Sequence, residues 1–468
     1  LSKKIVIMGG GPGGYEAALV ASKYGADITV VEDHGAGGAA IRKDVVPSKS
    51  FIAGANIKTD LRRADDMGLN HTLGDAKLSL MALNERVKAL AEKQSDDVRR
   101  GLERNGVHFI NGRAKFAGEQ TGHTTHRIEV ETPDGNCETI ECDMVLVCTG
   151  ASPRVLKGAE PDGERILNWR QMYDLEELPT HLIVVGSGVT GAEFVSAFAE
   201  LGVKVTMVAS RDRILPHDDA DAADVLETVL EGLGVQLEKD ARVDHVDNTG
   251  EGVVVYTTDG REIEGSHVMM SIGSIPNTAD LNLEAAGVET TPSGHIHVDR
   301  VSRTNVPGIY AAGDCTDLMP LASVAAQQGR TAVDHSLGEG VSPIRLKTVG
   351  NAVFTRPEIA AVGVTEQQIV DGEVDADIYK LPLNTNPRAK MRSLQHGFVK
   401  IFARKGSGQV LGGVIVAPTA SELILSITIA VTNNLTVRQL AESMAVYPSL
   451  SGSITEAARR LISKSDLA

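Results

Sequence analysis

Over the first two thirds of the chain, apolar residues come in short unbroken runs, most of them closed by glycine. Lys4–Met8 reads as a strand, Gly9-Gly10-Gly11-Pro12-Gly13-Gly14 as the turn after it, and Tyr15–Lys23 as the following helix. A second strand, Asp27–Val31, ends at Glu32. The same order of elements returns as strand Leu182–Val185, loop Gly186-Ser187-Gly188-Val189-Thr190-Gly191, helix Ala192–Leu201 and strand Val203–Val208. Continuous apolar runs of this kind suit strands covered on both faces, as in a parallel sheet. Elsewhere the spacing changes. Leu80, Leu83, Val87, Leu90, Val98 and Leu102 fall mostly at three- and four-residue steps, which predicts a long helix capped by Ser79 and stopped at Asn105-Gly106. Short strands are predicted between about 113 and 147, with Pro133-Asp134-Gly135-Asn136 as a turn. Val268–Gly273 is a further buried strand. From about Pro343 the glycine loops stop, and alternating strands follow near Phe398–Phe402 and Val410–Val416.

Each repeated unit has the chemistry of a dinucleotide site. Gly9 allows the tight turn, Gly11 lets the backbone approach a pyrophosphate, and Gly14 lets helix and strand pack closely. Free N–H groups at the helix start face the phosphate charge. Glu32, 23 residues after Gly9, can hold a ribose hydroxyl. Gly186, Gly188 and Gly191 repeat the three glycine roles. Two such sites in one chain imply two dinucleotides and electron transfer between them. In the second unit the position of the acid holds Ala209, followed by Ser210 and Arg211. An acid there would repel a ribose 2′-phosphate, whereas serine and arginine can bind it. NADPH is therefore predicted to be accepted at the second site, with NADH tolerated. The alternative is that Arg211 is a solvated loop residue.

Composition narrows the class. A chain of 468 residues holds three or so domains with full cores. A net charge of -16 and only 3% aromatic residues argue against nucleic-acid and anionic-membrane partners. No apolar run reaches the roughly 20 residues that span a bilayer. The first residues enter a strand directly, so no signal peptide is expected. Four cysteines in this length make no disulfide scaffold, and a cytoplasmic location is expected.

The segment Gly37–Lys49, Gly-Gly-Ala-Ala-Ile-Arg-Lys-Asp-Val-Val-Pro-Ser-Lys, resembles the active-site segment of the flavoprotein disulfide reductases, the family of lipoamide dehydrogenase and glutathione reductase. That family's pattern is G-G-T-C-x4-C-x-P-S-K, whose cysteines form the redox disulfide. Gly37, Gly38, Pro47, Ser48 and Lys49 keep their places, but Ala40 and Val45 stand at the cysteine positions. Neither can act as a nucleophile or take an electron. Val145–Gly150 resembles the family's A-T-G segment, and Gly308–Asp314 its second flavin fingerprint. By this resemblance FAD contacts are expected from Gly38, Lys49, Thr149, Gly150, Gly273, Asp314 and Ala322, beside the first glycine loop. Asp314 as a plain turn residue is the alternative. Ser274 stands where relatives usually carry arginine.

Val353–Glu358 and the later strands resemble the family's C-terminal interface domain, which pairs two subunits. Where relatives have the catalytic H-P-T-x-S-E, this chain has Tyr447-Pro448-Ser449-Leu450-Ser451-Gly452, and no histidine follows His396. The family's lysine–glutamate pair is kept as Lys49 and Glu193; a structural helix-end pair is the alternative role. The resemblance thus implies an α/β fold with two Rossmann-like nucleotide-binding domains plus a C-terminal α+β dimerisation domain. The expected divisions are 1–152 and 280–345 for FAD, 153–279 for NAD(P)H and 346–468 for the interface. It is similar in particular to actinobacterial lipoamide-dehydrogenase-like quinone reductases, which also lack the cysteine pair. The expected protein is a homodimeric FAD enzyme that oxidises NADPH or NADH and passes electrons to a quinone, with Lys49, Glu193 and Tyr447 as catalytic residues. Ala40 and Val45 would form an apolar floor under the flavin, and lipoamide or glutathione reduction is not expected. A soluble pyridine-nucleotide transhydrogenase and a flavin-bearing sensor are the rival readings.

Three further groups are set aside. Cys137 and Cys142 share the spacing of the missing pair but fall in one predicted strand, about 16 Å apart and on opposite faces, beyond the reach of a disulfide. Cys148 and Cys315 resemble small packing residues. His295 and His297 share a strand face without an evident third ligand, so no metal site is expected.

Overall fold

The computed structural model describes residues 2–62, 64, 68, 78–118 and 125–462. Part of the strand region expected at 113–147 (119–124) and the end of the interface unit (463–468) lie outside the described residues. The first sheet is wholly parallel, in the order Ile309–Ala311, Met144–Val147, Lys4–Met8, Asp27–Glu32, His108–Asn111. Its central strand is apolar on both faces, so Ile5, Val6, Ile7 and Met8 are all buried. The outer strand Ile309–Ala311 is contributed by chain far downstream, after the second unit. That return is what carries Asp314 back to the first nucleotide loop. Behind the sheet, helix Pro12–Lys23 packs on helix Ala322–Ser336. The contact is so close that a Cβ on Gly329 would sit 2.0 Å from the carbonyl oxygen of Gly13.

The second unit repeats the design with strands in the order Gln236–Glu238, Lys204–Val208, His181–Val185, His267–Met270, Ile166–Asn168, again parallel. The two chain crossings between the units, Ala151–Pro153 and Ser274–Pro276, lie side by side as an antiparallel pair. Each unit also carries a three-stranded antiparallel sheet, Arg113–Phe116 with His126–Glu131 and Cys137–Cys142 in the first, and Val243–Asn248 with Val253–Thr257 and Glu262–Gly265 in the second.

The C-terminal unit is a five-stranded antiparallel sheet in the order Asn351–Val353, Glu358–Gly363, Val410–Ala417, Phe398–Arg404, Ala376–Pro382. Helices Ala420–Thr432 and Gly452–Arg460 bury their apolar faces with it in one core. The α/β class with an α+β C-terminal unit is as expected. No helix among the described residues is long and apolar enough to cross a membrane.

Four local expectations need correction. The second unit's helix runs Val189–Glu200, not Ala192–Leu201. The first helix starts at Pro12, not Tyr15; proline suits the first helical position because that N–H has no intrahelical partner. The long helix Leu80–Arg104 is capped as expected, with Ser79 Oγ accepting from the Ala82 N–H at 3.2 Å. Its buried line, however, runs through Leu80, Leu83, Val87, Ala91, Ser95 and Leu102, and Leu90 is 40% exposed. Steps of three, four and four follow the 3.6-residue turn, and Leu90 falls one step outside that face. The strand expected at Val268–Gly273 pairs only through Met270. Ser271 then turns its hydroxyl onto the Val185 carbonyl at 2.9 Å.

Candidate functional site

The two glycine loops have matching geometry. A Cβ on Gly14 would lie 2.0 Å from the Gly9 oxygen, and one on Gly191 would lie 2.0 Å from the Gly186 oxygen. By contrast, a Cβ on Gly11 or Gly188 would meet nothing within 4 Å. Each loop is therefore tight where helix meets strand and open at the helix start, as backbone N–H groups approaching a pyrophosphate require. Gly9 and Gly186 are also closed in, their Cβ positions 2.3 Å from the Cys148 and Ser271 oxygens.

Glu32 ends its strand buried beside the first loop. Its Oε2 accepts the Gly10 N–H and its Oε1 the His34 N–H, both at 2.8 Å. Burial pushes this carboxyl above the ordinary range, against the two N–H groups. The Gly37 N–H donates to the Gly10 oxygen at 2.8 Å, and a Cβ on Gly38 would come 2.8 Å from the Gly11 Cα. The segment at Gly37–Lys49 thus starts against the first loop.

In the second unit Ala209 is buried and bound through its backbone: its N–H donates to the Glu238 oxygen at 2.8 Å and its oxygen accepts the Ala241 N–H at 2.9 Å. Ser210 and Arg211 follow it, both exposed. The Arg211 carbonyl accepts the Asp240 N–H at 3.1 Å, which ties this turn to the neighbouring strand. Further on, the Leu215 N–H donates to the Ser187 oxygen at 2.8 Å. The turn therefore packs against its own glycine loop.

Asp314 follows the returning strand. Burial raises its pKa and the nearby Asp44 charge adds to this, while Arg170 and His295 act the other way. The preceding Gly313 N–H is held by the buried Gln328 Oε1 at 2.8 Å. Thr149 and Gly150 meet the second crossing. Thr149 Oγ1 donates to the Asn277 oxygen at 2.8 Å, the Asn277 amide donates to the Thr149 oxygen at 2.9 Å, and the Asn277 N–H to the Gly150 oxygen at 2.9 Å. Gly273 accepts the Arg154 N–H on the same crossing at 2.9 Å. Ala322 opens the helix that packs on the first loop's helix.

Lys49 and Glu193 come together across the two units. Lys49 Nζ lies 3.0 Å from Oε1 and 2.8 Å from Oε2 of Glu193. The carboxylate is almost wholly buried, while the lysine keeps partial exposure. The Phe354 N–H also donates to Glu193 Oε1 at 3.0 Å, and Lys49 Nζ stands 4.8 Å from the centre of the Phe354 ring. Ala40 lies in the short helix Gly38–Arg42 and Val45 starts the helix Val45–Arg62, where its side chain is 40% exposed. Tyr447 is not joined to this pair within one protomer; it is 81% exposed on the C-terminal unit beside exposed Met444 and Val446.

Sequence reasoning missed one cluster. Asp44, between Ala40 and Val45, accepts the Trp169 Nε1–H at 2.9 Å and two Arg170 N–H bonds at 2.8 and 2.7 Å. An acid inside the former cysteine loop was the visible signal, but its partners lie over 120 positions away.

Cys137 and Cys142 sit at the two ends of one strand, one exposed and one buried, and all four cysteines are free. Burial pushes the Cys142 thiol up to about 12 and that of Cys315 up to about 11, and raises Cys148 as well. His295 and His297 are engaged separately, with Ser293 and Asp317.

Residues 3–329 match the family described as pyridine nucleotide-disulphide oxidoreductase, and residues 349–458 match that family's dimerisation domain. The chain belongs to this family, whose members are flavoprotein oxidoreductases that bind FAD and NAD(P)H. It is 58% identical over 467 residues to the NAD(P)H dehydrogenase (quinone) of Mycobacterium tuberculosis strain H37Rv, spanning 99% of this chain and 95% of that protein. It is 32% identical to the dihydrolipoyl dehydrogenase of Halobacterium salinarum, spanning 98% and 96% of the two. The crystal structure of LpdA from Mycobacterium tuberculosis superposes with a TM-score of 0.95 at 57% identity, covering 98% of this chain and all of that one.

Proposed function

We propose that this chain is an FAD-dependent NAD(P)H:quinone oxidoreductase that works without a redox disulfide. The observation that carries the reading is the combination at one segment: Ala40 and Val45 where relatives hold cysteines, and Lys49 still paired with Glu193 at 2.8 Å. The whole-length similarity to a protein named NAD(P)H dehydrogenase (quinone) supports the same activity. FAD, when bound, supplies a hydride acceptor that can also give electrons to a small oxidant.

The chain's own residues divide the work. Gly9, Gly11, Gly14, Glu32, Gly38, Thr149, Gly150, Gly273, Asp314 and Ala322 would hold FAD. Gly186, Gly188, Gly191, Ser210 and Arg211 would hold the nicotinamide nucleotide, NADPH ahead of NADH. Glu193, fixed by the Phe354 N–H, holds the Lys49 ammonium in place, and that cation favours the extra negative charge that hydride arrival brings. Val45 offers apolar surface to a planar acceptor. The exposed apolar strip at Met444, Val446 and Tyr447 suits a homodimer in which Tyr447 of the partner subunit reaches the acceptor side. The domain divisions are placed at 152, 279 and 345, a reading that the paired crossings Ala151–Pro153 and Ser274–Pro276 support for the first two. Free thiols and an acidic surface support a cytoplasmic setting.

An anaerobic NADPH titration followed by stopped-flow mixing with quinones tests this. One electron pair taken up per subunit, no thiolate–flavin absorption band and rapid reoxidation by quinone are expected. Uptake of two pairs, or reoxidation that no quinone accelerates, would overturn it. Faster turnover with an NAD analogue than with any quinone would instead favour the transhydrogenase.

A further inference from the structure

Asp44 joins two helices and is itself held by the second unit. The Lys43 and Asp44 N–H groups close the short helix of Ala40 onto the Ala39 oxygen, at 2.9 and 2.8 Å. The Asp44 oxygen then accepts the Ser48 N–H at 3.1 Å, opening the helix that carries Val45 and Lys49. Asp44 is therefore the hinge between the two former cysteine positions. In relatives a disulfide spans this hinge covalently.

Here the hinge side chain is gripped across the boundary. Arg170 makes a two-pronged bond to the Asp44 carboxylate, at 2.8 and 2.7 Å, and the Trp169 indole N–H adds a third donor at 2.9 Å. Such forked pairs fix orientation as well as distance. The grip is mostly out of water, with Arg170 18% and Asp44 28% exposed. The donors are themselves anchored. Asn168 Oδ1 accepts the Arg170 N–H at 2.9 Å, and Gln171 Oε1 accepts the Asn168 N–H at 2.9 Å. The terminal nitrogen of Arg170 also donates to the Ala151 oxygen at 3.1 Å, on the crossing strand. Three residues after Arg170, the Tyr173 ring packs edge-on to Phe51 of the Lys49 helix at 6.3 Å.

We infer that Asp44, with Trp169 and Arg170, is a positioning clamp on the hinge between the two former cysteine positions. It locks the hinge and sets the second nucleotide unit against the Lys49 segment, whatever the redox state of the protein. Asp44 acts through the segment it holds, not on the reacting atoms. The inference rests on the reading that hydride passes from nicotinamide to flavin at this segment.

The test uses FAD-loaded dimer with rates normalised to bound flavin. Asp44→Asn keeps the shape and loses the charge; Arg170→Gln removes the fork. Each is expected to slow flavin reduction at saturating NADPH about ten- to a hundredfold, the loss that a displacement of about 1 Å produces. The Kd for NADPH should stay within about twofold, because the Ser210–Arg211 turn is untouched. The double variant should be no slower than the slower single one. Should Asp44→Asn fail to retain FAD, Trp169→Phe carries the test, with an intermediate slowing expected. Wild-type reduction rates in the variants, or a loss confined to NADPH affinity, would overturn the clamp. If NADPH fails to reduce the flavin of the wild-type protein, it is the functional reading that falls, and the two failures are distinguishable.

Discussion

Lys49 Nζ lies 2.8 Å from Glu193 Oε2, joining the first nucleotide unit to the second at the point where the two helices carrying them meet. The glutamate is buried and fixed by a second donor, the Phe354 N–H from the C-terminal unit. One carboxylate therefore gathers all three units. Glu193→Gln should lower the rate of flavin reduction by NADPH about ten- to a hundredfold, because the lysine loses its opposite charge and its fixed direction. Single-turnover stopped-flow at saturating NADPH checks this, and an unchanged rate would leave the pair a purely structural tie.

Nucleotide choice should lie in the exposed turn after Ala209. Arg211→Ala should raise the KM for NADPH about tenfold or more, the worth of about 1.5–3 kcal/mol for a hydrogen bond to a charged group. The KM for NADH should barely move. Steady-state kinetics with both nucleotides decides it, and equal effects on the two would assign Arg211 to the solvated loop role.

FAD retention should depend on pH through two acids. Burial raises the pKa of both Glu32 and Asp314 in the ligand-free protein. With FAD held as proposed, its hydroxyls would donate to the ionised carboxylates, and binding would lower these values again. Affinity is then full above the raised pKa values and falls as pH drops through them, starting above the ordinary carboxylate range of about 4. Flavin fluorescence released on stepwise acidification measures the window. Glu32→Gln should weaken binding and flatten its part of the response.

Lys400 is the most buried cation among the described residues, at 1% exposure, with its Nζ 2.8 Å from Asp219, 2.6 Å from Asp221 and in contact with Glu366. Burial opposes its charge, but the carboxylates outweigh burial and raise its pKa. A raised lysine value stabilises the fold fully below the unfolded value of about 10.4, and the contribution is lost as pH rises through the folded value. Thermal unfolding should therefore show a steep loss of stability in alkali that Lys400→Met lacks. At neutral pH the same substitution should cost about 3–5 kcal/mol, because Asp219 is left buried and unpaired.

Thiol reagents should leave the enzyme working. Of the four cysteines only Cys137 is exposed, and burial keeps the other three protonated. One thiol should react in the native chain and four after unfolding, with NADPH-dependent quinone turnover unchanged by the first. Loss of activity on that first reaction would restore a thiol to the mechanism.

The sequence by itself determined both nucleotide loops, their helices and strands, the cap at Ser79 and the absence of cysteine at positions 40 and 45. These are local matters: a glycine is required wherever backbone passes within about 2 Å of where a Cβ would stand, and apolar runs declare buried strands. The tertiary structure decided what spans distance. It set the Lys49–Glu193 pair, which the family resemblance had implied, at 2.8 Å, and it returned the segment of Asp314 to the first sheet on a strand from far downstream. It also left Leu90 outside a stripe that spacing had included. Neither Asp44's partners nor the Lys400 cluster could be read from spacing, because charged side chains carry no periodic signal and find their partners only when separate units pack. Tyr447 is the one expected catalytic residue that the fold of a single protomer leaves exposed, at 81%.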